Sequence, residues 1–243
     1  MKLMIVRHAD PDYSIDSLTE KGWREAACLT ERLAQTPAEH YYCSPLGRAK
    51  DTASGTLKAL GRIAEECEWL REFKAPIVRP DKPHKESIPW DWLPQDWMPD
   101  ARFFEYDHWF ENERMQAGGV KEQYDWVTAN LDALLARHGY EREGTWYRAV
   151  RPNRETIVFF CHFGVEGVLL SHLLHISPVV LWHGTCALPS SVTTLITEER
   201  REGIALFRML SFGDLSHLYH KGEPPSSAAR FRETCNSEGE RID

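Results

Sequence analysis

Two short apolar runs constrain this chain more than any other feature. Leu3–Val6 leads into Arg7 and His8, and Ile157–Cys161 leads into His162. Runs of four or five consecutive apolar residues have no amphipathic period. They fit strands covered on both faces, as in the parallel sheets of α/β proteins. Around each run the spacing becomes helical. Residues 17–35 carry Leu18, Ala26, Leu29 and Leu33 at helical intervals with Thr19 as N-cap, and 163–175 reads as a helix directly after His162. Residues 40–44 read as another strand. Pro45 then begins a helix through 47–61 that stops at Gly61. Residues 65–70, 191–197 and 204–210 are further strand candidates.

Strands alternating with helices predict a three-layer α/β/α sandwich around a mostly parallel central sheet. A chain of 243 residues can bury such a core as one domain, 1–243. The alternation breaks at 76–150, read as a cap inserted between core strands. That stretch holds Pro76, Pro80, Pro83, Pro89, Pro94 and Pro99, the tryptophans 90, 92, 97 and 109, and an amphipathic helix over 123–139. The insert is basic over 71–85 and acidic over 91–113. Its tryptophans read first as packing for a small cap, and second as walls for an apolar or ring-shaped leaving group. The polar tail, 223–243, is expected to be loose.

Composition excludes several classes. A net charge of -8 argues against nucleic-acid binding, though not against one phosphate held by a few local arginines. No apolar stretch approaches the roughly 20 residues of a membrane span. The six cysteines show no CxxC pair or zinc spacing, and most sit in apolar runs. They read as core thiols in a reducing compartment, and a cytoplasmic protein is expected.

Open parallel sheets bind ligands beyond the carboxyl ends of their strands. His8 and His162 both fall there, as does Arg48 after the third strand and Glu72 after the fourth. Side by side, these ends would gather Arg7, His8, Arg48, Glu72 and His162 into one pocket. Two guanidinium forks suit phosphate oxygens. One histidine is placed to attack phosphorus, the other to stabilise charge, and a carboxylic acid to protonate the departing oxygen. Taken singly, the Arg7-His8 pair, Arg48 and Glu72 read more often as surface polarity, and His162 reads also as a hydrogen-bonded core histidine. A metallohydrolase reading of His8, Asp10 and Asp12 finds no second His/Asp motif to complete a coordination sphere.

Five segments, in order, resemble the histidine phosphatase superfamily, also called phosphoglycerate mutase-like. They are VRHADPDYSIDSLTEKGWREA from Val6, CSPLGRAKDTA (43–53), LREF (70–73), FFCHFGVEGVL (159–169) and FGDLSHL (212–218). The resemblance implies a histidine acid phosphatase-type phosphoric monoester hydrolase, acting on a small phosphorylated substrate with no cofactor or metal. It makes His8 the nucleophile and Glu72 the proton donor and later the base. Arg7, Arg48 and His162 would bind the phosphoryl oxygens, with the backbone N–H of Phe163 also directed at the phosphate. Phosphoryl transfer of the mutase type and a non-catalytic phospholigand-binding module are the alternatives. Ala9 stands where the family has glycine, and its amide is expected to remain available to the phosphate. The DPDYSID loop lacks the Ser/Thr and Asn positions that contact substrate in mutases. The family usually places a cap over the site at the point of the 76–150 insert, and 76–115 would form part of it.

Overall fold

The computed structural model describes residues 1–238 and Arg241. An eight-stranded sheet forms its centre. The strands, in chain order, are β1 (Lys2–Arg7), β2 (His40–Cys43), β3 (Glu65–Glu66), β4 (Tyr140–Glu143), β5 (Trp146–Ala149), β6 (Thr156–Cys161), β7 (Val192–Arg201) and β8 (Ile204–Asp214). They lie in the order β3-β2-β6-β1-β7-β8-β5-β4. The pairings from β3 to β1 are parallel and the rest antiparallel. Six strands therefore point one way, with β7 and β5 running against them.

Alternation along the central strands sorts side chains onto two faces. Leu3, Ile5, Ile157, Phe159 and Cys161 join one core with helices α3 (Val120–Arg137), α4 (Phe163–Leu174) and α5 (Pro178–Gly184). Met4, Val6, Val158 and Phe160 join the other with α1 (Glu20–Gln35) and α2 (Gly47–Leu60). This is the expected three-layer arrangement. Thr19 caps α1 by accepting from Gly22 N at 3.0 Å. Gly61 ends α2 at a φ of 61°, a left-handed conformation that suits glycine.

Register places the strand ends at one level. Val6 pairs with Phe160 and Arg7 with Cys161, while Phe160 pairs with Cys43. His8 N then donates to Cys161 O at 3.0 Å, and Ser44 N to Phe160 O at 2.9 Å. His8, His162 and Ser44 therefore leave the sheet together.

Three expectations change. The strand expected over 65–70 stops after Glu66, because Glu68–Leu70 forms a 3-10 turn that buries Trp69 and Leu70. The segment 76–150 divides in two. Its first part is a run of short elements, including the pair Ile77–Val78 and Glu86–Ser87, whose Phe103, Trp109 and Met115 are fully buried. Its second part is not cap. Helix α3 packs on α4, with Tyr124 Oη 2.9 Å from Ser171 Oγ, and β5 pairs with β8 through Tyr147 and Ala205. The β4–β5 hairpin is short and charged (YERE and WYRA), as suits a sheet edge, and so hides its strand character. The tail begins tied down. Glu223 pairs with Lys21 and Arg24 at 3.3 and 3.2 Å, and buried Ser226 donates through its N–H to Glu25 at 3.0 Å.

Of the six free cysteines, Cys43, Cys67 and Cys161 are buried, while Cys186 and Cys235 are exposed. Among the described residues, no helix is long and apolar enough to cross a membrane.

Candidate active site

The carboxyl end of the parallel half holds the residues expected there. His8 is buried, and its Nδ1 lies 2.8 Å from Ala9 O. A carbonyl only accepts, so Nδ1 carries the proton and the ring's lone pair sits on Nε2. The His162 ring centroid is 5.1 Å away. His162 Nε2 lies 2.7 Å from Ser44 Oγ. Burial is the main reason both histidines titrate well below their ordinary range. The Arg7 and Arg48 charges lower both further, and His8 adds to the effect on His162. At neutral pH both rings are therefore uncharged.

The arginines enter from two sides. Arg7, the last residue of β1, donates through Nη1 to Ala187 O, and its Cζ lies 5.5 Å from the Phe163 ring centroid. Arg48, in the first turn of α2, pairs with Asp16 at 2.5 Å, while Asp16 also accepts from Gly47 N at 2.7 Å. Both arginines are buried. Among the described residues, Arg7 Nε, Arg48 Nε and His162 Nδ1 have no hydrogen-bond partner. Buried polar groups are normally satisfied, so three unpaired nitrogens at one site mark a place for a ligand.

Glu72 reaches the rim after the 3-10 turn. Its Oε1 accepts from Phe73 N at 2.9 Å and from Val165 N, in the first turn of α4, at 3.2 Å. Burial raises its pKa, and the Arg7 charge opposes the rise. Gly164 permits this approach. A Cβ there would meet Glu72 Oε1 at 2.6 Å and Trp90 Nε1 at 2.5 Å. Phe163 opens α4, where the first N–H groups have no intrahelical acceptor.

The structure thus brings Arg7, His8, Arg48, Glu72, His162 and Phe163 together at the carboxyl end of the sheet. It corrects one detail: Ala9 N donates to Thr52 Oγ1 at 2.9 Å and is committed there. Asp10 and Asp12 do not converge with His8. Asp10 accepts from Thr19 Oγ1 at 2.6 Å, and Asp12 from Ser14 Oγ at 2.6 Å. Four residues were not anticipated. They are Ser44, Asp16, Thr52 and Glu166, a fully buried acid whose pKa burial pushes up to about 7 against the Thr193 hydroxyl and the Arg7 charge. Ser44 had a signal, lying inside the CSPLGR segment. Of the insert's tryptophans, Trp92, Trp97 and Trp109 are buried in the core. Trp90 instead sits at the rim, donating to Phe73 O at 2.8 Å with its ring edge-on to Phe163 at 5.8 Å. Arg79 is buried in pairs with Asp81 at 2.7 Å and Asp91 at 3.1 Å.

The model of the histidine phosphatase superfamily, branch 1, matches residues 3–209. The chain belongs to that superfamily. No curated protein matches it in sequence. The fold is similar to a phosphoserine phosphatase from Entamoeba histolytica solved with phosphoserine, at a TM-score of 0.57 and 18% identity. That match covers 89% of this chain and 98% of the other. It is also similar to a mycobacterial glucosyl-3-phosphoglycerate phosphatase, at a TM-score of 0.55 and 17% identity, covering 87% and 98%. Within this superfamily fold, the FGDLSHL segment serves as a buttress. Asp214 pairs with Arg32 at 3.0 Å, and His217 Nε2 lies 3.2 Å from Ser190 Oγ, whose residue donates through its N–H to His8 O.

Proposed function

We propose that this superfamily member is a metal-independent phosphomonoester hydrolase that works through a phosphohistidine on a small phosphorylated metabolite. The observation that carries the reading is the pairing of a neutral His8, its lone pair on Nε2, with unpaired buried nitrogens on Arg7, Arg48 and His162. The fold likeness to phosphatases of phosphoserine and of glucosyl-3-phosphoglycerate supports a small phosphorylated metabolite as substrate.

In the first step His8 Nε2 attacks phosphorus, and the bond from phosphorus to the ester oxygen breaks. The arginines, His162 and the Phe163 N–H hold the phosphoryl oxygens as charge shifts onto them. Glu72, kept protonated to higher pH than an ordinary carboxyl by burial, gives its proton to the departing oxygen. In the second step the Glu72 carboxylate takes a proton from water, and the water oxygen attacks phosphorus. The P–N bond breaks, returning neutral His8 and inorganic phosphate.

The test is covalent labelling with a radiolabelled phosphomonoester. Alkali-quenched protein is expected to retain label and acid-quenched protein to lose it. His8→Ala is expected to abolish label and turnover together, by roughly 10³-fold or more in rate. Label that persists in His8→Ala, or that maps to His162, would overturn the assignment.

A further inference from the structure

The opposite end of the sheet carries a second histidine pair that this chemistry does not use. His40 opens β2, His138 caps the C-terminus of α3, and Glu155 directly precedes β6. One ligand atom from each lies within 4.8 Å of the other two. Glu155 Oε2 is 3.3 Å from His138 Nδ1 and 3.5 Å from His40 Nε2. Donors around a tetrahedral ion with bonds of about 2.0 Å stand about 3.3 Å apart, so both spacings match edges of such a tetrahedron. Among the described residues, this is the one group of three or more His, Cys, Asp or Glu side chains so disposed.

The surroundings fit the same purpose. Tyr42 Oη lies 2.7 Å from His138 Nε2 and accepts from Arg137 Nη2 at 3.1 Å. Without an ion, His138 Nδ1–H donates to the Glu155 carboxylate at 3.3 Å; with one bound, the ring proton moves to Nε2, where Tyr42 Oη accepts it, and Nδ1 is free to ligate. Metal-bound imidazoles are held in this way, by a hydrogen bond from the nitrogen that does not ligate. Asn153 fixes the backbone on both sides, donating to His138 O at 2.8 Å and accepting from Glu155 N at 3.1 Å. His138 is buried, whereas His40 and Glu155 are partly exposed. A surface groove of about 400 Å³, lined in part by Tyr42, Arg62 and Glu65, borders His40.

We propose that His40, His138 and Glu155 form a binding site for one divalent transition ion, of which Zn²⁺ is the type. Two imidazoles favour such an ion over Mg²⁺ or Ca²⁺. Three elements distant in sequence would be clamped at the amino end of the sheet. Strand β6, six residues long, separates this cluster from His162 by roughly 20 Å.

The experiment titrates metal-stripped full-length protein with ZnCl₂ by calorimetry and follows thermal unfolding with and without the ion. No phosphate ester is involved, so the result is independent of the hydrolase reading. The wild type is expected to bind one ion that raises its Tm, with no comparable response to MgCl₂. His40→Ala and the near-isosteric Glu155→Gln are each expected to weaken binding roughly tenfold or more and to cancel the Tm rise. Cys186→Ser, which removes an exposed thiol, should change neither. Unaltered Zn²⁺ binding in both His40→Ala and Glu155→Gln, or no binding in the wild type, would overturn the proposal and leave an ordinary histidine–carboxylate hydrogen bond.

Discussion

The two ends of one sheet hold the same kind of residue in opposite electrostatic settings. At the carboxyl end, His8 and His162 lie between Arg7 and Arg48, deep in the protein. At the amino end, His40 and His138 face the carboxylate of Glu155 near solvent. Cations beside a neutral imidazole create a place for an anion, while a carboxylate beside it creates a place for a cation. The neighbours, more than the histidines, set the chemistry of each end.

The largest expected effect removes the acid from the carboxyl end. Glu72→Gln keeps the shape but cannot give up a proton. On an alkyl phosphate kcat is expected to fall by roughly 10²- to 10⁴-fold, and on an aryl phosphate, whose leaving group needs little help, far less. Equal losses on both substrates would place the acid elsewhere. In the wild type, alkyl phosphate hydrolysis should decline as pH rises through the Glu72 pKa, above the ordinary carboxyl range. Its decline at low pH should lie below the ordinary histidine range, since His8 must be neutral to attack and its pKa is lowered.

A smaller effect tests how closely that acid must be held. Gly164→Ala places a Cβ 2.6 Å from Glu72 Oε1 and 2.5 Å from Trp90 Nε1, so the carboxylate and the indole ring must both shift. Activity on the alkyl ester is expected to drop roughly 10- to 100-fold with little change in Tm. Unchanged activity would mean that Glu72 acts from a different position.

A smaller change still concerns Glu166, buried behind the pocket with a pKa of about 7 against an ordinary 4.5. Between those values the folded state holds a proton that the unfolded state has lost. The wild type therefore loses stability as pH rises from about 4.5 through about 7, by about 3 kcal/mol at most. Glu166→Gln stays neutral throughout. Its Tm should exceed that of the wild type by several degrees more at pH 8 than at pH 5. A constant difference would show the carboxylate already ionised, with Arg7 compensating.

The smallest expected effect sharpens the contrast most. Chelation with EDTA should leave aryl phosphate hydrolysis unchanged, because in the proposed mechanism arginines and histidines stabilise the charge. Loss of activity that added divalent ion restores would sink the phosphohistidine reading.

Sequence legibility follows the same division. At the carboxyl end the residues sit in unbroken segments around strand ends: Arg7 and His8 follow one apolar run, His162 and Phe163 another, and Ser44 and Arg48 a third. Glu72 reaches the same rim although its supposed strand is a 3-10 turn, because the chain emerges there in either conformation. Short charged edge strands such as YERE carry no apolar alternation. Their partners supply what they need to form: β4 pairs with β5, and β5 with β8. The anchored tail was hidden for a similar reason. Ser226 is polar and surrounded by polar residues, and only the fold supplies Glu25 and Asp10 to hold it.

By itself the sequence determined the layered α/β architecture and the meeting of Arg7, His8, Arg48, Glu72 and His162 at one rim, since buried parallel strands require unbroken apolar runs and whatever terminates those runs must share one rim. Tertiary structure alone decided which insert residues complete the sheet, that the Ala9 amide is committed to Thr52, and that His40, His138 and Glu155 meet. Those outcomes depend on contacts between residues far apart in the chain, and local spacing carries no record of such contacts.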